Sequence, residues 1–165
     1  MNIIKYPNNI LKEKLVPFDF ANPVIDPLEL EKSMIETMLA NNAIGLACNQ
    51  IGINARVFVM GHKTMPENAK AFFNPEILAN TEDMLEDEEG CLSFPGVYVK
   101  IKRPKAVQVK YQNSKGEEEI ATFENYECRC FLHEFDHLEG ITFRDRTSTL
   151  KWALAVKKST KRKYK

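Results

Sequence analysis

Between Ile25 and Asn42 the chain reads "IDPLELEKSMIETMLANN", and Leu30, Met34 and Met38 recur at helical spacing with Ile35 and Leu39 on the flank. Asp26 is placed to cap that helix, and Pro27 to open it, because the first turn leaves its N–H groups unpaired anyway. The stripe ends near Asn41. Short β-like runs follow. "ARVFVM" comes first, then "GVYVKI" and "AVQVKYQ", the last two separated by "KRPK". "QNSKGEEE" reads as a hairpin turn leading into "EIATF". Helical spacing returns from about Asn125 to Glu139, with Gly140 as terminator. A helix, several antiparallel strands and a second helix, with no internal repeat or low-complexity segment, predict one α+β domain.

Composition narrows the picture. A chain of 165 residues, 44% hydrophobic, suits one core that buries about two thirds of its unfolded surface. No apolar run approaches the ~20 residues of a membrane helix. The start, "MNIIKYPNNI", lacks the charged and apolar regions of an export signal, so a cytoplasmic protein is expected. In that reducing compartment Cys48, Cys91, Cys128 and Cys130 are ligand, nucleophile or filler rather than disulfide partners. Basic and acidic residues balance at 23 each, but not along the chain. Residues 151–165 hold seven lysines and arginines and no acid, leaving an acidic body. Such an end is either a solvated terminus or an anchor for an RNA-rich surface.

Two of the three histidines lie in "FLHEFDHLEG". On a helix His133 and His137 share a face, about 6 Å apart along the axis, and can converge on one divalent ion through bonds of about 2 Å. Glu134 is rotated by about 100° from His133, so it borders that position as a proton carrier rather than a ligand. The competing reading is a pair of hydrogen-bonded core histidines. A metal site needs a third ligand. Cys130 shares the histidine face but lies about 10 Å along the axis from His137, too far for its short side chain. Cys128 projects to nearly the opposite side. Cys48 and Cys91 lie outside the helix, and either can fold back onto it. Cys91 stands in "EEGCLSFPG", whose Gly90 and Ser-Phe-Pro-Gly run fit a tight backbone passage. Cys48 stands in "AIGLACNQIG", where Gly45 and Ala47 permit close packing and Gln50 is polar in an apolar run. The Gln50 amide either satisfies backbone groups or aims its NH₂ at a reacting oxygen.

"AIGLACNQ" (43–50), "EGCLS" (89–93) and "HEFDH" (133–137), in this order and spacing, resemble the motifs of the peptide deformylases: Gly-x-Gly-Leu-Ala-Ala-x-Gln, Glu-Gly-Cys-Leu-Ser and His-Glu-x-x-His. The likeness extends through "IIKYPNNILKEKLVPF", "RPKAVQVKY" and "HLEGITFRDR", over about residues 3–147. The resemblance implies a single α+β domain over residues 1–147, its antiparallel strands packed around a central helix bearing the histidine motif. Residues 148–165 are then a short basic C-terminal tail. It also implies that Cys91, His133 and His137 hold one divalent ion, Fe²⁺ physiologically, with Zn²⁺, Ni²⁺ or Co²⁺ able to substitute. The substrates implied are N-formylmethionyl nascent polypeptides, and the products formate and a free amino terminus. In that scheme the Gln50 side chain and the Leu92 backbone N–H hold the oxyanion, and Glu134 moves the proton.

A methionine side chain needs an apolar slot, for which Ile44, Gly45, Tyr126, Arg129 and Cys130 are the candidates. Asp136, on the other flank, is expected to pair with Arg103 and steady the helix. Ala43, Cys48 and Leu132 depart from the family's pattern without removing a ligand. Ala43 either distorts its loop, if the position needs positive φ, or merely narrows the entrance. Some family members dock on the ribosome through a C-terminal helix, so "STLKWALAVKKSTKRKYK" is read as a short helix around Trp152 with a basic, ribosome-contacting end. No membrane partner is expected, and a monomer is the default. A small zinc peptidase would explain the histidines but not "EGCLS" or Gln50. A catalytically silent ribosome-binding module would not need Glu134, Gln50 and three ligands.

Overall fold

Asp26 caps the first helix, its carboxylate accepting from the Glu29 N–H at 2.9 Å, and α1 runs Pro27–Ala40 as the apolar stripe foretold. Leu30, Met34 and Met38 are wholly buried, while Leu39 on the flank is exposed. In the computed structural model, which describes residues 1–62 and 65–162, seven strands follow. They are β1 (Gly45–Ala47), β2 (Val57–His62), β3 (Met65–Asn80), β4 (Met84–Cys91), β5 (Phe94–Pro104), β6 (Ala106–Gln112) and β7 (Glu118–Glu124). Helix α2 spans Asn125–Leu138 and α3 spans Thr149–Arg162.

The strands form a five-stranded antiparallel sheet in the order β1-β2-β3-β6-β7 and a separate hairpin of β4 with β5. Val57, Phe58 and Val59 are all fully buried, so β2 is covered on both faces and α2 lies within the body. Phe131 of α2 packs edge-on to Phe58 and Phe72 and stacks on Phe123, locking the helix onto the sheet. This is the α+β arrangement with the histidine helix at its centre.

Three strands, the three-residue β1 and the longer β3 and β4, carry no sequence signal of their own. β4, "MLEDEEGC", is nearly all polar and exposed, and exists because its backbone pairs with β5 from Met84↔Pro104 to Gly90↔Tyr98. β3 is interrupted by Asn74 at φ 47° and by Pro75, which falls within a register shift where its missing N–H costs no ladder bond.

The segment after residue 147 is helical around Trp152, as expected. Its apolar side joins a second small core, with Trp152 edge-on to Phe94 and Phe143 at 5.6 and 5.5 Å.

Helix α2 ends in a complete Schellman arrangement. Gly140 N–H donates to His137 O and Ile141 N–H to Asp136 O, with Gly140 at φ +69°. A β-carbon there would lie 2.4 Å from the Lys12 carbonyl oxygen, so backbone would have to move. Gly140→Ala is therefore expected to destabilise the protein by about 2 kcal/mol or more, measured by urea unfolding. A loss below about 0.5 kcal/mol would contradict this account of the helix end.

Candidate metal centre

The central position of α2 buries both histidines, His137 almost completely. The β4–β5 turn carries Cys91 across to them, because the strand register slips between Gly90 and Cys91 and turns the thiol toward the helix. Cys91 Sγ lies 3.4 Å from His137 Nε2, and one ligand atom from each of Cys91, His133 and His137 lies within 4.8 Å of the others. A tetrahedral ion with S and N bonds of about 2.3 and 2.05 Å would separate those ligand atoms by ~3.5 Å. The spacing fits one shared ion. Of the two cysteines that the sequence left open, the fold selects Cys91. Cys48 is fully buried elsewhere, its Sγ 3.6 Å from Met34 Sδ.

His133 is oriented from behind. Its Nδ1 lies 2.9 Å from Glu89 Oε2, which leaves Nε2 for an ion. Glu89 also accepts from Arg103 Nε at 2.8 Å, Arg103 Nη2 at 3.0 Å and Arg129 Nη1 at 2.8 Å. Burial alone would raise the Glu89 pKa, but these hydrogen bonds and charges hold it well below the usual carboxylate range. Arg103 Nη1 reaches Asp136 Oδ2 at 2.6 Å, the pairing expected from sequence, and Arg146 closes on the same carboxylate. Burial disfavours charge on His133, yet the adjoining Cys91 and Glu89 raise its pKa well above the ordinary range. Burial, then the charges of His133 and Arg103, press His137 the other way, toward the neutral form that binds metal.

Glu134 is buried next to the triad, and its Oε2 has no hydrogen-bond partner among the described residues. Burial pushes its carboxyl up to about 7. Gly45 makes room for it: a methyl at that position would fall 2.3 Å from Glu134 Oε1. Gln50 satisfies a backbone group, the first of the roles open to it. Its Oε1 accepts from the Ala47 N–H at 2.9 Å, which turns Nε2 toward Cys91 Sγ at 3.4 Å and Ser93 Oγ at 3.1 Å.

The family model described as polypeptide deformylase matches residues 1–152. The chain belongs to that family. It is 47% identical over 132 residues to a peptide deformylase of Thermotoga petrophila, covering 78% of this chain and 79% of that one. Identity is 41% over 165 residues to a peptide deformylase of Phenylobacterium zucineum, covering 96% and 94%. The Met-Ala-Ser-bound structure of the class I type b peptide deformylase from Acinetobacter baumannii superposes with a TM-score of 0.81 at 33% identity, covering 89% of this chain and 98% of that one. Peptide deformylases are metalloenzymes, and Cys91, His133 and His137 form the group able to hold the ion here.

An open cavity borders the group; its volume is about 610 Å³. All five residues expected at its wall line it: Ile44, Gly45, Tyr126, Arg129 and Cys130. Leu92, in the β4–β5 turn, lines it too. Their situations differ. Tyr126 stands half exposed, and Cys130 is buried with its Sγ 3.5 Å from the Ile44 carbonyl. The Arg129 guanidinium is taken up by Glu89, the Ile101 carbonyl at 2.9 Å and the Leu85 carbonyl at 2.6 Å, so its charge ties α2 to the β4–β5 hairpin.

The departures from the family pattern are absorbed locally. Positive φ falls on Asn42, at 53°, and not on Ala43, so the Ala43 methyl only narrows the cavity mouth. Leu132 is buried on α2.

Sequence reasoning missed Glu89, Ser93 and Asn49 as supports. Asn49 Nδ2 donates to the His137 carbonyl at 2.9 Å. Glu89 had one signal, an acid placed two residues before a ligand in "EGCLS", but no spacing rule relates it to His133.

Proposed function

We propose that this hydrolase removes the formyl group from N-formylmethionyl nascent polypeptides in the cytoplasm, releasing formate and a free amino terminus. One divalent ion is held by Cys91, His133 and His137. Iron(II) is its physiological identity, because a thiolate ligand makes an electron-rich, oxidisable site; zinc, nickel or cobalt can substitute. The single observation that carries the reading is the convergence of the Cys91–His133–His137 group, an unpartnered Glu134 oxygen and the Gln50 Nε2 on one cavity.

When bound, the ion supplies Lewis acidity that makes water nucleophilic near neutral pH. Glu134 takes the water proton and delivers it to the departing amine nitrogen. The oxygen that gains charge as the formyl carbon is attacked is held by the Gln50 NH₂ and the Leu92 backbone N–H. Such a donor contributes about 3 kcal/mol in the transition state. The Ala47 N–H already fixes which end of the amide points inward, so only an Nε2 hydrogen now on Cys91 Sγ or Ser93 Oγ has to be redirected. The methionine side chain lies along Ile44, Tyr126 and Cys130, with Gly45 keeping the wall beside Glu134 open.

Catalysis resides in residues 1–147, with 148–165 as an extension, and the chain acts as a monomer. Lys157 and Lys158 of α3, with Lys161 to Lys165, form the ribosome-contacting end; residues 163–165 and the side chains of 161–162 lie outside the described residues. Replacing Lys157 and Lys158 with glutamate is expected to weaken co-sedimentation with ribosomes at least severalfold at low salt, since such contacts are chiefly to phosphate. Unchanged co-sedimentation would remove the docking role.

The deciding assay is formate release from formyl-Met-Ala-Ser by iron-loaded protein prepared without oxygen, run beside an unformylated peptide with an internal bond. Formate release that stops on chelation and resumes with iron is expected. Cleavage of the internal bond alone would make the protein a peptidase. No turnover of either would leave it a silent binding module.

A further inference from the structure

The segment Ile4–Tyr6 touches both loops that carry the oxyanion donors. Ile4 N–H donates to the Gln50 carbonyl at 2.8 Å, Lys5 Nζ to the Leu92 carbonyl at 2.8 Å and Tyr6 N–H to the Ser93 carbonyl at 2.9 Å. Gln50 Nε2 bonds Ser93 Oγ across the gap, so segment, Gln50 loop and Leu92–Ser93 turn close a ring of hydrogen bonds. The segment is itself anchored: the Tyr6 ring stacks on Phe94 with centroids 4.9 Å apart, and the Arg144 guanidinium lies 5.2 Å from the Tyr6 ring centre.

We propose that Ile4–Tyr6 is a strap that positions the Gln50 and Leu92 donors relative to each other, with Lys5 as its positioning residue. The proposal rests on the reading of Gln50 and Leu92 as the oxyanion donors. Two donors on loops far apart in sequence must meet one oxygen within about 2.7–3.1 Å, and a misplacement of about 1 Å can lower turnover on the order of 100-fold. The bonds of Lys5 and Tyr6 hold two successive peptide planes, Leu92–Ser93 and Ser93–Phe94. The preceding plane, which carries the Leu92 N–H, then retains little freedom beyond rotation at the Leu92 α-carbon. Lys5 is exposed, so its bond adds little to overall stability and its loss leaves the fold intact. Its charge also borders the cavity, which offers a rival role in attracting substrate.

The two roles separate in Lys5→Met, compared with Lys5→Arg in the metal-loaded full chain. Positioning predicts a fall in kcat for formyl-Met-Ala-Ser of about five- to tenfold. It also predicts KM within about twofold, unchanged metal content and thermal midpoint, and faster amide hydrogen exchange over residues 90–94. Lys5→Arg, which keeps a donor, should restore both turnover and exchange. The strap is overturned by wild-type kcat and exchange in Lys5→Met. It is equally overturned by a rise in KM at constant kcat, or by a kcat loss that tracks the thermal midpoint. Absence of formate release from the wild type would strike the functional reading instead, and the exchange comparison would still test the strap.

Discussion

Glu134→Gln is expected to lower kcat for formate release by about 10²–10⁴-fold while leaving the bound ion, the fold and KM nearly unchanged, the usual range for a lost proton carrier. The substitution is nearly isosteric in a site where Gly45 leaves no spare volume, so the loss reports chemistry rather than packing. It also removes the carboxylate that, on the proposed reading, takes a proton from water and returns it to nitrogen; Glu89, the other buried acid lining the cavity, is already held by Arg103, Arg129 and His133. The pH profile follows in sign. Glu134 works as a base only when ionised, and burial pushes its carboxyl up to about 7. A bound cation draws that value down. The rate should therefore fall with decreasing pH, about tenfold per unit once below the carboxyl pKa, with the acid limb at or below pH 7. Turnover by Glu134→Gln within tenfold of wild type would remove Glu134 from the mechanism.

Arg103→Met should cost about 3–5 kcal/mol of stability, the usual loss when one partner of a buried ion pair is removed. Arg103 is only 4% exposed and serves two buried carboxylates, Glu89 and Asp136, which would be left with Arg129 and Arg146 as partial compensation. That loss is a large share of the 5–15 kcal/mol available to an ordinary domain. Chemical unfolding followed by circular dichroism measures it. Metal affinity should weaken in parallel, because Glu89 orients His133 and would lose two of its hydrogen bonds. A loss under about 1 kcal/mol would show that the network is solvated or repacks without Arg103.

The legible parts of the fold were those where one face is buried and the period can be read locally. Helix α1, helix α2, β6 and β7 follow from spacing, a cap and Gly140. Strand β4 does not, because an acidic, exposed run has no pattern to read; only pairing with β5 makes it a strand. The site divides in the same way. His133, Glu134 and His137 belong to one helix, whose geometry relates them without further knowledge. Cys91 came from likeness to a family's motif, not from spacing. The approach of its Sγ to within 3.4 Å of His137 Nε2 depends on a register slip at the end of a hairpin.

Sequence alone thus determined the elements with intrinsic period and the local chemistry of a helix: two imidazoles on one face and a carboxylate beside them. Tertiary structure decided which cysteine joins them, that the Gln50 Nε2 meets that cysteine, and that Glu89 rather than solvent stands behind His133. Those outcomes are contacts between residues some forty or more positions apart in the chain. Local propensity carries no term for such contacts; they are set when burial forces each polar atom to find a partner in three dimensions.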